Sequence, residues 1–173
     1  MSIVISVASD PSDARAMQEV YYKAWLETYP NRGAGITRED IVESWKEAFT
    51  EERLKKAEQR IVNQDNNETL IFAKDGSRLV GVARIVRHEE KNELQSIYVL
   101  PEYHGQGIGT KLWESLRKYS TPSQKTTVSV ATYNLKAINF YKKLGFIDTG
   151  RRFTEERFRF KSGSIIPEME MVL

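Results

Sequence analysis

The chain lacks cysteine entirely and contains few histidines, and these scarcities exclude several kinds of chemistry. With no Cys among its 173 residues, it can form no disulfide, no thiolate metal site and no cysteine-based acyl intermediate. Its two histidines, His88 and His104, are isolated from one another, which argues against a catalytic metal cluster. We therefore expect a protein that works without a bound metal.

Long apolar runs, repeats and low-complexity segments are also missing. No stretch approaches the roughly 20 apolar residues that a membrane-spanning helix requires. Residues 1–6 lack the basic segment and the apolar core of a secretion signal. These features predict one domain over residues 1–173 that is cytoplasmic and has no membrane partner.

An excess of one charge sign is missing as well. Lys and Arg number 26 and Asp and Glu number 24, so no global field recruits nucleic acid. Residues 151–161 interleave basic and aromatic side chains, a pattern that some RNA-binding segments share. Their period-two alternation and the acidic pair Glu155-Glu156 favour a half-solvated strand instead. We expect no nucleic-acid partner.

The most distinctive segment that is present runs from residue 96 to residue 112. An apolar, β-rich stretch leads into a glycine-dense turn and then directly into an amphipathic helix. The first turn of a helix carries unpaired N–H groups and the positive end of the helix dipole, so phosphate oxygens bind there. Gly105, Gly107 and Gly109 allow unusual backbone angles and a close approach of the backbone to a ligand.

The spacing of these glycines excludes two better-known phosphate-binding motifs. Thr110 stands where a dinucleotide fingerprint that starts at Gly105 requires glycine, and the Lys-Ser/Thr pair of Walker A is absent. The pattern that matches is Gln/Arg-x-x-Gly-x-Gly/Ala, with His104 in its first position. A tight strand-to-helix turn without a ligand is the alternative interpretation.

A second motif follows downstream, where a strand leads into a capped helix that ends at a glycine. Val128 and Val130 alternate with small residues as in a strand. The pattern Asn-x-x-Ala-x-x-x-Tyr-x-x-x-Gly-Phe is matched by Asn134, Ala137, Tyr141, Gly145 and Phe146. With both motifs present in this order, the chain resembles the GNAT N-acetyltransferase superfamily.

The resemblance implies an α/β (α+β) fold, the GNAT fold. Its seven-stranded sheet is mixed but mostly antiparallel, is flanked by helices and is splayed between the fourth and fifth strands. The pattern along the chain agrees with that order. It predicts strands over residues 3–8, 68–74, 79–87, 92–100 and 168–173, with a hairpin around Asp75-Gly76-Ser77. It predicts helices after Asp10-Pro11 and, with interruptions, from residue 38 to residue 62.

The resemblance also implies acetyl-CoA as the cosubstrate. In this family the pyrophosphate lies on the glycine loop, and the pantetheine arm adds hydrogen bonds along the splayed fourth strand. The implied cofactor-binding residues are Ile97, Tyr98, Val99, His104, Gly105, Gln106, Gly107, Ile108, Gly109, Thr110, Asn134 and Tyr141. His104 stands where the family usually has Gln or Arg, so the contribution of this loop is expected to come from its backbone amides.

The implied chemistry is direct attack of a primary amine on the thioester in a ternary complex. We predict that Tyr141 donates a proton to the departing thiolate, because a phenol and a thiol have similar basicity. Glu93 is the available carboxylate for a general base, acting directly or through water. Alternation along the strand places this carboxylate on the same face as Ile97 and Val99. Backbone N–H groups near Val99 are expected to stabilise the carbonyl oxygen.

Aromatic and acidic residues in the first two helical regions indicate a cationic acceptor. They are Trp25, Glu27, Tyr29, Trp45 and Glu47. We predict that the first three bind the acceptor. Residues 25–29, followed by residues 36–37, resemble the N-terminal region of PaiA-like polyamine acetyltransferases. Spermidine or spermine is therefore the expected amine.

Alternatives stay open at this point. The acceptor could be a protein N-terminus or another small amine, such as an amino-acid-like compound or an aminoglycoside. The chain could also be a degenerate module that binds acetyl-CoA as a sensor without turnover, although the presence of Glu93, Asn134 and Tyr141 favours an enzyme. The sequence does not set the oligomeric state, and a homodimer is one possible assembly.

Overall fold

The computed structural model describes residues 2–64 and 67–173, which form seven strands and five α-helices. The strands are β1 (Ile3–Val7), β2 (Glu68–Asp75), β3 (Arg78–Arg87), β4 (Asn92–Val99), β5 (Thr126–Ala131), β6 (Ile147–Phe153) and β7 (Glu168–Val172). The helices are α1 (Ala14–Thr28), α2 (Arg38–Trp45), α3 (Glu51–Val62), α4 (Ile108–Leu116) and α5 (Leu135–Lys143).

All seven strands belong to one sheet, in the order β1-β2-β3-β4-β5-β7-β6. Neighbouring strands are antiparallel except β4 and β5, which are parallel. A parallel pair needs a crossover connection, and α4 lies within it. The predicted mixed and mostly antiparallel sheet is confirmed.

Helices cover both faces of the sheet. On one face, Leu112 of α4 packs against β3 at Gly81, where an added Cβ would lie 3.1 Å from Leu112 Cδ1. On the opposite face, the Tyr21 hydroxyl of α1 forms a 3.1 Å hydrogen bond with the Ser96 hydroxyl of β4. We call these the α4 face and the α1 face of the sheet.

The fourth and fifth strands separate along most of their length. β4 and β5 pair only over residues 92–94 and 126–128. The side chain of Asn92 holds the closed end, because its Oδ1 accepts from the Thr121 N–H at 2.9 Å and its Nδ2 donates to the Thr121 carbonyl at 3.0 Å. Beyond this point the two strands leave a gap, in agreement with the predicted splay.

A β-bulge interrupts β4 next to that gap. Two successive residues of β3, Arg84 and Ile85, lie opposite Ser96 and Leu94, so Gln95 has no partner across the ladder. An extra residue of this kind reverses the alternation of side chains on either side of it.

The bulge moves Glu93 to the α1 face, which it shares with Tyr98. The prediction that Glu93 lies on the same face as Ile97 and Val99 is wrong, because strict alternation holds only in an unbroken strand. The carboxylate therefore faces the layer that contains α1, and not the layer that contains α4.

The helical region predicted from residue 38 to residue 62 is two helices. Thr37 begins α2 in a reciprocal capping box with Asp40. This helix ends at Trp45, and the extended backbone of Thr50 separates it from the next helix. The new helix, α3, starts after Thr50 with Glu51 and Glu52 in the first turn, where acidic side chains stabilise a helix.

The strand predicted over residues 151–161 is wrong beyond Phe153, where β6 ends. Residues 156–158 form a 3₁₀ turn instead. Phe158 packs on Trp25 with ring centroids 5.9 Å apart, and Phe160 is buried with Ile166 in an apolar cluster on the α1 face. The aromatic residues of this segment therefore anchor a loop over the sheet, which the period-two pattern alone does not distinguish from a strand.

Across residues 2–64 and 67–173, no helix has both the length and the apolar character needed to cross a membrane. The same residues contain no group of three or more His, Cys, Asp or Glu side chains that could hold a metal ion.

Candidate active site

The gap between β4 and β5 opens into a cleft of about 1090 Å³ that extends beneath α1. All of the sequence-predicted site residues except Gln106 line it. They are Trp25, Glu27, Tyr29, Glu93, Ile97, Tyr98, Val99, His104, Gly105, Gly107, Ile108, Gly109, Thr110, Asn134 and Tyr141. The Gln106 side chain bonds instead to the Glu102 carbonyl at 3.4 Å. Trp45 also lines the cleft, whereas Glu47 is exposed outside it.

One end of the cleft is built by the loop between β4 and α4. Gly105 and Gly107 have φ angles of +77° and +74°, which L side chains adopt only with strain. Gly107 is the N-cap of α4, and no side chain caps this helix. The N–H groups of its first turn are therefore free to bind a ligand, and the helix dipole favours an anion there.

Beside this loop, a chain of hydrogen bonds connects the two sides of the cleft. His104 Nε2 donates to the Val99 carbonyl at 2.9 Å, which leaves Nδ1 to accept from Lys136 Nζ at 2.7 Å. Glu27 Oε1 lies 3.7 Å from both His104 Nδ1 and Lys136 Nζ. Glu27, a predicted acceptor ligand, thus lies near the glycine loop with a cationic partner.

A cluster of tyrosines occupies the place where the strands separate. The hydroxyls of Tyr29 and Tyr98 are 2.8 Å apart, and the Tyr133 hydroxyl donates to the Tyr29 carbonyl at 2.8 Å. Burial, followed by the nearby Tyr98, raises the pKa of Tyr141. Tyr141 therefore keeps its proton at neutral pH. Among the described residues, its hydroxyl has no hydrogen-bond partner, so it is free to donate to a ligand.

Glu93 lies on the α1 side of the cleft and already has a partner. Its Oε2 is 2.7 Å from His88 Nε2. The neighbouring Arg84 is held by Glu68 in two 2.8 Å hydrogen bonds. One oxygen of the Glu93 carboxylate therefore already has a hydrogen-bond partner in His88. The role of Glu93 as a general base stays a prediction.

Trp25 is the centre of an aromatic wall on the α1 side. Its ring centroid lies 4.6 Å from that of Tyr29, 5.5 Å from that of Trp45 and 5.9 Å from that of Phe158. Aromatic faces of this kind attract cations through the ring quadrupole. The wall thus provides a surface for a cationic ligand in the half of the cleft away from the glycine loop.

Several polar cleft residues were missed by reasoning from the sequence, among them Tyr133, Lys136, Glu155 and Glu168. Glu168 begins β7, lies opposite Ala131 of β5 and is only 7% exposed. Burial, and then the charge of Glu155, raises its pKa to about 7. The alternation of glutamates and methionines in β7 places Glu168 away from the methionine core, but the loop that buries it is not visible in that pattern.

Comparisons with known proteins agree with this geometry. A family model described as "Acetyltransferase (GNAT) domain" matches residues 26–162. Spermidine N(1)-acetyltransferase of Thermoplasma acidophilum is 30% identical over 139 residues, which are 78% of this chain and 82% of the relative. The crystal structure of a PaiA N-acetyltransferase from the same organism, in complex with coenzyme A, superposes with a TM-score of 0.67 at 27% identity, and covers 97% of this chain and 98% of that one.

A further relative is an uncharacterized N-acetyltransferase of Mycobacterium bovis, 31% identical over 99 residues. That match covers 51% of this chain and spans 58% of the length of the mycobacterial relative. The family model nevertheless covers most of the chain, and both the mostly antiparallel seven-stranded sheet and the separated fourth and fifth strands match the fold that the resemblance implied. The protein therefore belongs to the GNAT acetyltransferase family.

Proposed function

We propose that the protein is an acetyl-CoA-dependent N-acetyltransferase that acetylates a primary amine of a polyamine such as spermidine or spermine. The acetyl-CoA part rests on two sets of backbone groups that lack ladder or capping partners among the described residues: the uncapped first turn of α4 and the β4 edge that faces the gap, where only the Val99 carbonyl is bonded, to His104. The N–H groups of α4 can bind the pyrophosphate, and the β4 edge can form hydrogen bonds with the pantetheine arm. Asn134 and Tyr141 lie across the gap from that edge.

The polyamine part is carried by one observation, the combination of an aromatic wall with carboxylates in the half of the cleft away from the glycine loop. Glu93, Glu155 and Glu168 line this half together with Trp25 and Phe158. Carboxylates and aromatic faces both stabilise ammonium groups, and a polyamine carries several. The Thermoplasma relative named a spermidine acetyltransferase supports the same choice.

In this proposal Tyr141 is the general acid. Its buried phenol is protonated at neutral pH and would donate to the sulfur as the thiolate leaves. The backbone N–H groups of β4 at the gap would stabilise the negative charge that develops on the carbonyl oxygen, an effect of roughly a few kcal/mol per donor.

The test is a panel of amines mixed with acetyl-CoA, with the acetylated products identified by mass spectrometry. Spermidine or spermine should react faster than glycine amide or a peptide N-terminus at equal concentration and neutral pH. Added salt should raise the KM of the polyamine more than that of acetyl-CoA, because salt screens the attraction between the cleft carboxylates and a multivalent cation over about 10 Å at 0.1 M.

Two outcomes would reject the proposal. If peptides that begin with Ala or Ser react faster than every polyamine, the acceptor is a protein N-terminus. If no amine releases free coenzyme A while acetyl-CoA still binds, the protein is a sensor and not an enzyme.

A further inference from the structure

Within the part of the chain that the structure describes, Glu168 is the cleft carboxyl group whose burial has no structural explanation. It is 7% exposed, and its Oε2 is fully buried without a hydrogen-bond partner among the described residues. Burial of an unpaired carboxyl group is costly, because the group loses its hydration without compensation. A buried unsatisfied group calls for an explanation, and in a cleft a ligand-binding or catalytic role provides one.

Glu168 interacts electrostatically with tyrosines of the cleft. Its charge contributes to the raised pKa values of Tyr29 and Tyr133, and Tyr29 is also within electrostatic range of Tyr141. Tyr29 in turn contacts Tyr98 of β4 through its hydroxyl. Glu168 therefore lies on the β7 side of the cleft, within electrostatic range of Tyr29 and Tyr133.

The charged groups around Glu168 come from two elements. Glu155 and Arg157 belong to the loop after β6 and act in opposite directions on its pKa, and Glu93 reaches it from β4 and raises that pKa. Arg157 is itself bonded to Glu155. No cation in the described residues is bonded to Glu168, which leaves the carboxyl group open to a cation from outside.

Glu168 also differs from Glu93 in its availability as a base. Glu93 Oε2 is held by His88 Nε2 at 2.7 Å, whereas Glu168 Oε2 has no such contact among the described residues. Burial holds the pKa of Glu168 at about 7, the range in which a general base is most effective at neutral pH.

On the basis of the proposed function, we infer that Glu168 is the catalytic carboxylate that binds the acceptor ammonium and removes its proton. One N–H bond of the ammonium breaks and the proton moves to Glu168. The freed nitrogen lone pair forms the bond to the acetyl carbon while the carbon–sulfur bond breaks. The sulfur takes a proton from Tyr141, and the acetylated nitrogen releases its second proton to solvent to give the neutral amide. Solvent then reprotonates the Tyr141 phenolate and takes the proton from Glu168.

The test compares Glu168→Gln with a matched control, Glu170→Gln. Glu170 lies two residues further along the same face of β7, but it is bonded to Arg151 and does not line the cleft. In the wild type, kcat/KM for the amine should rise with pH through a pKa near 7. Glu168→Gln should lower kcat/KM at least about 100-fold and abolish that rise, while acetyl-CoA affinity and the Glu170→Gln profile stay unchanged. Glu168→Asp should recover part of the rate.

Glu93→Gln separates the two possible bases. This variant should keep the rise but move it to lower pH, because the charge of Glu93 raises the pKa of Glu168. If Glu93→Gln removes the rise and Glu168→Gln keeps it, Glu93 is the base and the inference is overturned.

Direct binding keeps this test independent of the proposed function. Calorimetry of spermidine with the coenzyme A complex should show at least about tenfold weaker binding for Glu168→Gln than for Glu170→Gln. If the protein acetylates an amine other than a polyamine, the same measurements apply with that amine. Equal amine affinity in the two variants would overturn the inference even in an active polyamine acetyltransferase. A selective loss in a protein that turns over no amine would support the Glu168 site and reject the proposed function.

Discussion

At the scale of single residues, Tyr141 and Gly107 show two ways in which a sequence motif points to a site. Tyr141 recurs at helical spacing, and a motif was needed to distinguish it from an ordinary core residue. Gly107 is required by its backbone angle of +74°, which a sequence pattern can reveal because few other residues adopt it. Glu168 has no such signature, because charged groups that surround it, Glu155 and Arg157, lie more than ten residues away in the chain.

Tyr141→Phe should leave acetyl-CoA affinity nearly intact and lower turnover roughly 10- to 1,000-fold. The ring still packs against Phe140 and Phe146, whose centroids lie 5.2 and 5.5 Å away, but the proton donor is lost. Calorimetry and steady-state kinetics separate the two effects. Turnover at the wild-type rate would remove Tyr141 from the mechanism.

Gly107→Val should weaken acetyl-CoA binding at least about tenfold, which corresponds to roughly 1.4 kcal/mol. A Cβ added at this position would meet nothing within 4 Å, so the effect comes from the left-handed backbone and from blocked approach of the phosphates. Gly150→Val is the matched control, because Gly150 has a φ of +84°, equally open space and no place in the cleft. Equal acetyl-CoA affinities in the two variants would exclude the glycine loop from the binding site.

At the scale of elements, the local signals of capping, hairpins and glycine turns predicted most boundaries. The hairpin at Gly76 and the start of α2 at Arg38 are both where the sequence indicated. The bulge at Gln95 could not be predicted, because it depends on how β4 pairs with β3 and not on any residue type within β4. That one residue decides which face of the sheet carries Glu93.

The cap of α5 should be measurable by itself. Asn134 Oδ1 accepts from the Ala137 N–H at 3.0 Å, so Asn134→Ala should lower the free energy of unfolding by about 1 kcal/mol in urea. Thr50→Ala provides the comparison, since Thr50 is the N-cap of α3 without a side-chain capping bond, and it should cost only a few tenths of a kcal/mol. Equal losses would show that the Asn134 bond contributes little.

At the scale of the whole molecule, the buried apolar residues form two clusters. The larger surrounds the sheet with Phe72, Leu112 and Phe146, and the smaller joins α1, α2 and the loop after β6 through Ile41 and Phe160. Most residues of the larger cluster lie on helices and strands, whose periodicity is visible in the sequence. The smaller cluster depends on the loop after β6, whose alternating aromatic and charged residues resemble the pattern of a strand.

Glu168 should make the stability of the whole protein depend on pH. Its folded pKa of about 7 lies above the ordinary value of 4.5, so the folded state binds this proton more tightly than the unfolded state. The resulting stabilisation is fully present below about pH 4.5 and is lost as the pH rises through about 7, up to roughly 3 kcal/mol.

Thermal unfolding of Glu168→Gln should remove that dependence and raise the Tm at pH 8, relative to both the wild type and Glu170→Gln. The same variant is expected to be slower in catalysis, and a merely structural residue would not combine these two effects. A Tm that falls at pH 8 would show that the carboxylate stabilises the fold.

The gap between β4 and β5 also has a consequence for the lifetime of the protein. It creates two strand edges inside one molecule, whose amide hydrogens exchange with solvent without the protection that a ladder gives. If acetyl-CoA fills the gap as proposed, it stabilises the native state by about 2.7 kcal/mol at 100 times its Kd. Deuterium uptake over residues 95–99 and 129–131 should then fall as acetyl-CoA is added. The concentration of acetyl-CoA would then determine both the rate of turnover and the fraction of molecules that unfold locally and become accessible to proteases.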